Sequence, residues 1–251
     1  MIKRIINKII HVSRPYVWFL KRRGRKLIRK FVFNKKNEAY TLAIVCVKKI
    51  AYVDMAIENI NSLHYLNPEH RFIIYCDDIC YEKTKKNAGK FDYKNMVEIK
   101  DAFGKADKPW QHYKLETIIE ISKKNWLLVD ADAFWHNEPQ ISREKITFLV
   151  SEKKIKDEPD NAATILNLFR QNEWLNFGYY SSGFLSIPAR FMTDDVAETA
   201  RKFLSVLLYN NYLFIDDENL REQQKRQSEQ FSISLALLTH YPENLFATLK
   251  E

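Results

Sequence analysis

The strongest constraint on the fold is a series of short, apolar, β-branched runs separated by segments of helical period. "TLAIVCV" (41–47) is the first of these runs. A strand with one wet face alternates apolar and polar residues, so an unbroken run predicts a strand covered on both faces. Residues 52–64 return to helical spacing through Met55, Ile57, Ile60 and Leu63. "RFIIYCDD" (71–78), "MVEIK" (96–100), "WLLVDAD" (126–132), "ITFLVSE" (146–152) and "YYSSGFLSIP" (179–188) predict five more strands. Helices are expected over 110–122 and 161–171, then near 189–209 and 228–239. This rhythm predicts an α/β fold, a mainly parallel sheet flanked by helices on both faces. Ligands of such sheets gather beyond the carboxyl ends of the strands.

Charge divides the chain in two. Of its 40 Lys and Arg, 13 lie in residues 1–37, where there is no Asp or Glu. The remainder holds 27 basic against 32 acidic residues, so the net +8 belongs to an N-terminal arm. In "MIKRIINKIIHV", Ile2, Ile5, Ile6, Ile9 and Ile10 fall at helical spacing, with Lys3, Arg4, Asn7, Lys8 and His11 on the other side. Arg14-Pro15 interrupts this pattern, and "YVWFL" and "KRRGRKLIRKFVF" follow. A basic amphipathic helical arm of this kind suits the surface of an anionic membrane. Packing on the body or a partner remains the alternative, and so does nucleic acid, although a phosphate-binding run does not need a continuous apolar stripe. No run there reaches the ~18–20 apolar residues of a membrane span, and no signal-peptide pattern is present. The expected division is an arm over 1–37 and a body over 38–251.

Two exclusions follow from residue counts. The five glycines, Gly24, Gly89, Gly104, Gly178 and Gly183, form neither a G-x-G-x-x-G turn nor a Walker loop. Cys46, Cys76 and Cys80 contain no C-x-x-C pair and sit in or beside apolar runs, so buried free thiols in a reducing compartment are expected.

The informative motif is the end of "WLLVDAD". If the strand continues, alternation turns Asp130 and Asp132 to the same side, with small Ala131 between them. Two such carboxylates repel unless a positive charge lies beside them. A divalent cation with hard oxygen ligands, Mg²⁺ or Mn²⁺, meets that need, and one with open positions can hold a diphosphate. Exposed acidic turns also produce Asp-x-Asp, so its place at the end of a predicted core strand carries the argument.

The order of segments resembles GT-A nucleotide-sugar glycosyltransferases, nearest in pattern to bacterial family-8-type galactosyl- and glucosyltransferases. "AIVCVKKIAYVDMAIENINSLHYLNPEHRFIIYCDD" looks like that family's opening strand, tyrosine, helix and second strand. "YKLETIIEISKKNWLLVDADAFW" is similar to its helix leading into the metal-binding D-x-D. "YYSSGFLSIP" is similar to the F-N-A-G strand, and "SEQFSISLAL" to the D-Q helix. The four segments cover about residues 41–240.

The resemblance implies a Rossmann-like GT-A sheet, Mn²⁺ or Mg²⁺, and a UDP-sugar donor. It implies a metal and nucleotide role for Asp130 and Asp132, uracil stacking for Tyr52, and a donor phosphate or sugar contact for Lys114. Ser181, Ser182 and Gly183 fall at the sugar, where a glycine after two serines also suits a bulge. Glu229 and Gln230 fall beside the reacting carbon, as base or shield; otherwise they are first-turn helix residues. The late H-x-x-G-x-K-P-W metal segment is absent, with His240 as a weak stand-in.

The expected function is metal-dependent transfer of a sugar from a UDP-sugar to a membrane-associated saccharide or glycolipid, such as a capsule or lipopolysaccharide acceptor. The expected place is the cytoplasmic face of the membrane, without nucleic acid. A membrane-tethered binding protein with a transferase-like fold is the alternative. A sugar-1-phosphate nucleotidyltransferase is disfavoured, because "CVKKIAY" lacks the glycine-rich loop that such enzymes carry after the first strand.

Overall fold

A computed structural model of the chain describes residues 38–91, 94–133, 135, 138–139, 141–154, 178–209, 225 and 228–249. The basic arm, the helix expected over 161–171 and nearly all of the charged run at 216–228 lie outside the described residues. So do the side chains of Ser181 and Ser182.

β1 (Thr41–Cys46) leads through α1 (Ala51–Leu66) to β2 (Arg71–Cys76), and α2 (Asp78–Lys86) leads to β3 (Val97–Asp101). α3 (Trp110–Ser122) then enters β4 (Leu127–Val129). β5 (Ile146–Lys154) and β6 (Gly178–Ser186) precede α4 (Asp194–Tyr209), α5 (Ser228–His240) and β7 (Phe246–Leu249). These strands form one sheet in the order β3-β2-β1-β4-β6-β5-β7. β1 is parallel to β2 and β4, β2 to β3, and β5 to β7. β6 is antiparallel to both β4 and β5. The sheet is therefore mixed and mainly parallel, with β6 as its reversed strand.

Both faces of the sheet are covered, which explains the unbroken apolar runs. Leu42, Ile44, Phe72, Ile74, Leu127 and Val129 pack with Val53, Ile57, Ile60 and Leu63 of α1. Ala43, Ile73, Leu128, Phe148 and Leu185 pack with Leu115 and Ile118 of α3, Val196 and Leu204 of α4, and Ile233 and Leu237 of α5. Met55, expected on the apolar stripe of α1, is instead 40% exposed. Ala56 takes the buried place, because the stripe is set by Val53, Ala56, Ile57, Ile60 and Leu63.

Two elements have weak sequence signals. α2 buries only Cys80 and Thr84, so apolar periodicity does not mark it. Its start is set by Asp77, whose carboxylate accepts from the backbone N–H of Cys80 at 2.9 Å and of Lys48 at 2.7 Å. β7 is four residues long and is held at the edge by pairing with β5.

The approach to β4 is tightly specified. α3 ends with Asn125 at φ 55°, in the left-handed region. Asn125 N–H donates to Ser122 O and Trp126 N–H to Ile121 O, both at 3.0 Å. This is a Schellman ending with asparagine in the glycine position. The Asn125 side chain also accepts from the Ala189 N–H at 2.8 Å, tying the turn to the chain after β6. The cysteines meet their expectation: Cys46, Cys76 and Cys80 are free and buried.

Candidate active site

From β1 the chain steps outward to β2 and β3, then returns to place β4 on the other side of β1. That reversal leaves a crevice at the carboxyl ends of β1 and β4, the usual ligand position in an open α/β sheet. The pocket found there is lined by Val45, Val47, Tyr52, Trp110, Lys114, Asp130, Ala131 and Asp132. Four residues selected from the sequence, Tyr52, Lys114, Asp130 and Asp132, thus line one pocket.

Asp130 and Asp132 meet there by a route other than strand alternation. β4 stops at Val129, and the Ala133 N–H donates to Asp130 O at 3.2 Å, which closes a turn over 130–133. The expectation that the two aspartates continue a strand is corrected by that bond. The reversed strand sets the depth of the turn, since Asp130 N–H donates to Gly183 O at 2.9 Å. Ala131 is buried, the Asp130 side chain is 33% exposed, and Asp132 is exposed.

Lys114 sits behind Asp130. Leu128 packs on the α3 side of β4, Asp130 directly follows that strand, and Lys114 lies one turn into α3, where its ammonium meets the carboxylate. Nζ is 2.6 Å from Asp130 Oδ1 and 3.3 Å from Glu229 Oε1 on the first turn of α5. Lys114 and Glu229 side chains are only 7% and 3% exposed. Burial acts against the lysine charge, but the carboxylates of Asp130 and Glu229 outweigh it and hold Lys114 above the ordinary lysine range. Burial raises the Glu229 carboxyl, which Lys114 partly offsets and the Asp130 charge reinforces. The positive neighbour that the aspartates require is therefore in part a protein ammonium.

Glu229 is brought to this cluster but is not among the residues lining the pocket. Gln230 is not among them either. The backbone of Ser181, Ser182 and Gly183 lies in β6, beside the end of β4. Against β5 the register slips, Phe148 pairing with Leu185 and Leu149 with Ser181. Gly183 thus lies in an irregular stretch, as the bulge reading anticipated, while its carbonyl serves the D-x-D turn. His240 does not stand in for a metal ligand. It ends α5 about 16 Å along the axis from Glu229, at 1.5 Å per residue, and its Nε2 is 3.1 Å from Thr199 Oγ1.

Two contributors were not selected from the sequence. Asn59 of α1 is fully buried, and its amide donates to Asp130 O at 2.6 Å. Trp110 lines the pocket one turn before Lys114, whose Nζ is 5.8 Å from the indole ring centroid. The i, i+4 spacing of Trp110 and Lys114 on a predicted helix was an available signal for the second. Asn59 gave none, since a polar residue amid an apolar helix reads equally as surface.

The donor set suits a hard cation. Two carboxylates offer oxygen ligands, and among the described residues no group of three or more His, Cys, Asp or Glu could hold a metal. Mg²⁺ characteristically binds through one or two carboxylates together with substrate phosphates, so Asp130 and Asp132 fit such an ion shared with a diphosphate. They do not form an all-protein cage.

No family model matches the sequence, and no curated protein does. Solved structures do. The apo form of WbbM, a bifunctional glycosyltransferase, superposes with a TM-score of 0.55 at 10% identity, over 87% of this chain and 39% of that one. The chain has the GT-A glycosyltransferase fold. An active-site mutant of LgtC superposes with a TM-score of 0.51 at 12% identity, over 73% of this chain and 69% of that one. This glycosyltransferase fold spans well under half the length of WbbM. Its own D-x-D turn, Lys114 and Tyr52 lie together at the carboxyl edge of β1 and β4.

Proposed function

We propose that the chain is a glycosyltransferase that takes its sugar from a UDP-sugar, with Mn²⁺ or Mg²⁺ at Asp130 and Asp132. The observation that carries this reading is the convergence of Tyr52, Lys114, Asp130 and Asp132 on one pocket at the switch point of a GT-A fold. A divalent cation there supplies positive charge to the departing diphosphate. Lys114 adds a fixed ammonium on the same wall, held charged by its carboxylate neighbours. The Tyr52 ring offers a stacking surface for a base beyond the end of β1, and Lys49 Nζ lies 5.3 Å from its centroid. Trp110 and the valines give the wall apolar area that excludes water.

The acceptor in this reading is a saccharide or glycolipid at an anionic membrane surface, reached through the basic arm of residues 1–37 on the cytoplasmic side. Its support is the segregation of 13 positive charges and an isoleucine stripe in that arm.

The test is a panel of nucleotide-sugars incubated with protein and Mn²⁺, Mg²⁺ or a chelator, scored for release of nucleoside diphosphate. Transferases pass some donor to water, so no acceptor is needed. Metal-dependent release from a UDP-sugar, lost in Asp132→Asn, is the expected result. Binding of UDP without turnover of any donor or added acceptor identifies a binding protein on this fold. Neither binding nor turnover overturns the reading.

A further inference from the structure

Two carboxylates approach one buried ammonium at this site, and only one of them belongs to the pocket wall. Asp130 lines the pocket, whereas Glu229 lies against Lys114 with 3% side-chain exposure and is not among the lining residues. A general base must come within ~2.6–3.2 Å of the hydroxyl that it deprotonates, or reach it through one water. Glu229 Oε1 is instead directed to Lys114 Nζ, at 3.3 Å.

We propose that Glu229 is a positioning residue, the fixed counter-charge that keeps the Lys114 ammonium at the pocket wall, and that it acts through Lys114. This rests on the nucleotide-sugar reading above and assigns Glu229 a role other than the base or shield expected from the sequence. The physical need is a charge balance. An ammonium with 7% exposure depends on carboxylate neighbours, because a buried ion without them is strongly disfavoured. Asp130 is one such neighbour, and its oxygens are also wanted by a cation or by the arriving donor. Glu229, anchored on the first turn of α5 and away from the pocket wall, leaves Asp130 able to redirect while Lys114 keeps a partner and its aim. The ammonium is then available to a donor phosphate.

A double-mutant cycle decides this, using full-length protein, UDP with Mn²⁺ as the calorimetric probe, and donor hydrolysis as the second readout. Glu229→Gln is expected to weaken UDP binding about 10- to 100-fold, the range of one lost charge-assisted hydrogen bond. Lys114→Met should lose as much. Lys114→Met/Glu229→Gln should be no worse than Lys114→Met, in affinity and in turnover. Should Glu229→Gln fail to fold, Lys114→Met/Glu229→Met leaves neither of the two charges buried, and its UDP affinity should equal that of Lys114→Met. The proposal is overturned if Glu229→Gln binds UDP as tightly as wild type while turnover collapses, or if the two losses multiply. Wild-type protein that binds no nucleoside diphosphate at all removes the donor reading, and this role with it. A wild type that binds UDP and a Glu229→Gln variant that matches it remove the positioning role alone.

Discussion

At the scale of single residues, the aspartates of the D-x-D turn separate chemistry from architecture. Asp132 is exposed, whereas Asp130 is half-buried and bonded to Lys114 at 2.6 Å. Asp132→Asn is therefore expected to leave the unfolding of the protein without ligand within ~0.5 kcal/mol of wild type, as exposed substitutions usually do. Metal-dependent UDP binding should be lost; normal binding by that variant removes Asp132 from the metal site. Asn59→Leu should show the opposite pattern. Asn59 is not among the residues lining the pocket, but its amide donates from the core to Asp130 O at 2.6 Å. Loss of that bond should cost about 1–3 kcal/mol in urea denaturation. UDP affinity should fall as well, because the turn carrying both carboxylates loses its support from α1. A variant as stable as wild type refutes the first expectation, and unchanged affinity refutes the second.

At the scale of elements, the site depends on where α3 hands over to β4. α3 brings Trp110 and Lys114 to the pocket at one end, and its Schellman ending starts the strand that delivers Asp130. Asn125 occupies the left-handed position there at φ 55°. Asn125→Gly keeps that conformation and loses only an exposed bond to Ala189 N–H, so a loss under about 1 kcal/mol is expected. Asn125→Val adds the cost of a β-branched residue at positive φ, a further ~1–2 kcal/mol. The order Asn, Gly, Val in denaturation midpoint is the check, and a valine variant as stable as the glycine variant contradicts it. This turn was not among the features read from the sequence, although the boundaries of α3 were. Helical spacing over 110–122 is a local property of the chain, whereas a single left-handed asparagine is legible only once the helix, the strand and Ala189 are seen together.

At the scale of the whole molecule, acid stability is tied to a histidine at the other edge of the sheet. His70 has a fully buried side chain before β2, and its Nδ1 accepts the backbone N–H of Tyr40 at 3.1 Å. Glu138 Oε1 lies 3.6 Å from its Nε2, yet burial dominates and lowers its pKa to about 4. Protonation at Nδ1 would also break the bond to Tyr40. An unfolded histidine titrates near 6.5, so between the two values the unfolded chain takes up a proton that the fold refuses. This contribution is fully present above about pH 6.5 and is lost as pH falls towards 4, by roughly 2 kcal/mol at pH 5. In His70→Gln the stability difference between pH 7 and pH 5 should shrink by about that amount; an unchanged difference assigns the acid sensitivity elsewhere. The arm yields a separate expectation. The full-length protein should co-sediment with phosphatidylglycerol vesicles at low salt and less so at 1 M, where the Debye length falls to about 3 Å. Deleting residues 1–36 should release it and spare donor hydrolysis. Full-length protein left in the supernatant at low salt refutes the membrane reading.

What the sequence determined by itself is what periodicity and burial encode locally: the α/β rhythm, strands covered on both faces, the limits of α3, and a D-x-D at the end of a core strand. Asp130 and Asp132 could be selected because two carboxylates stand at the end of a core strand of that rhythm, whereas Tyr52 and Lys114 were selected through the resemblance to GT-A glycosyltransferases. Tertiary structure decided what depends on residues distant in the chain. It reversed β6, ended β4 at Val129 so that the aspartates meet across a turn, and set Asn59 beneath that turn. It also placed Glu229 behind Lys114, 115 positions away in sequence, where it faces an ammonium rather than the pocket. A charge on a helix reads from sequence as exposed because solvation favours exposure, and only a buried partner of opposite sign reverses that preference.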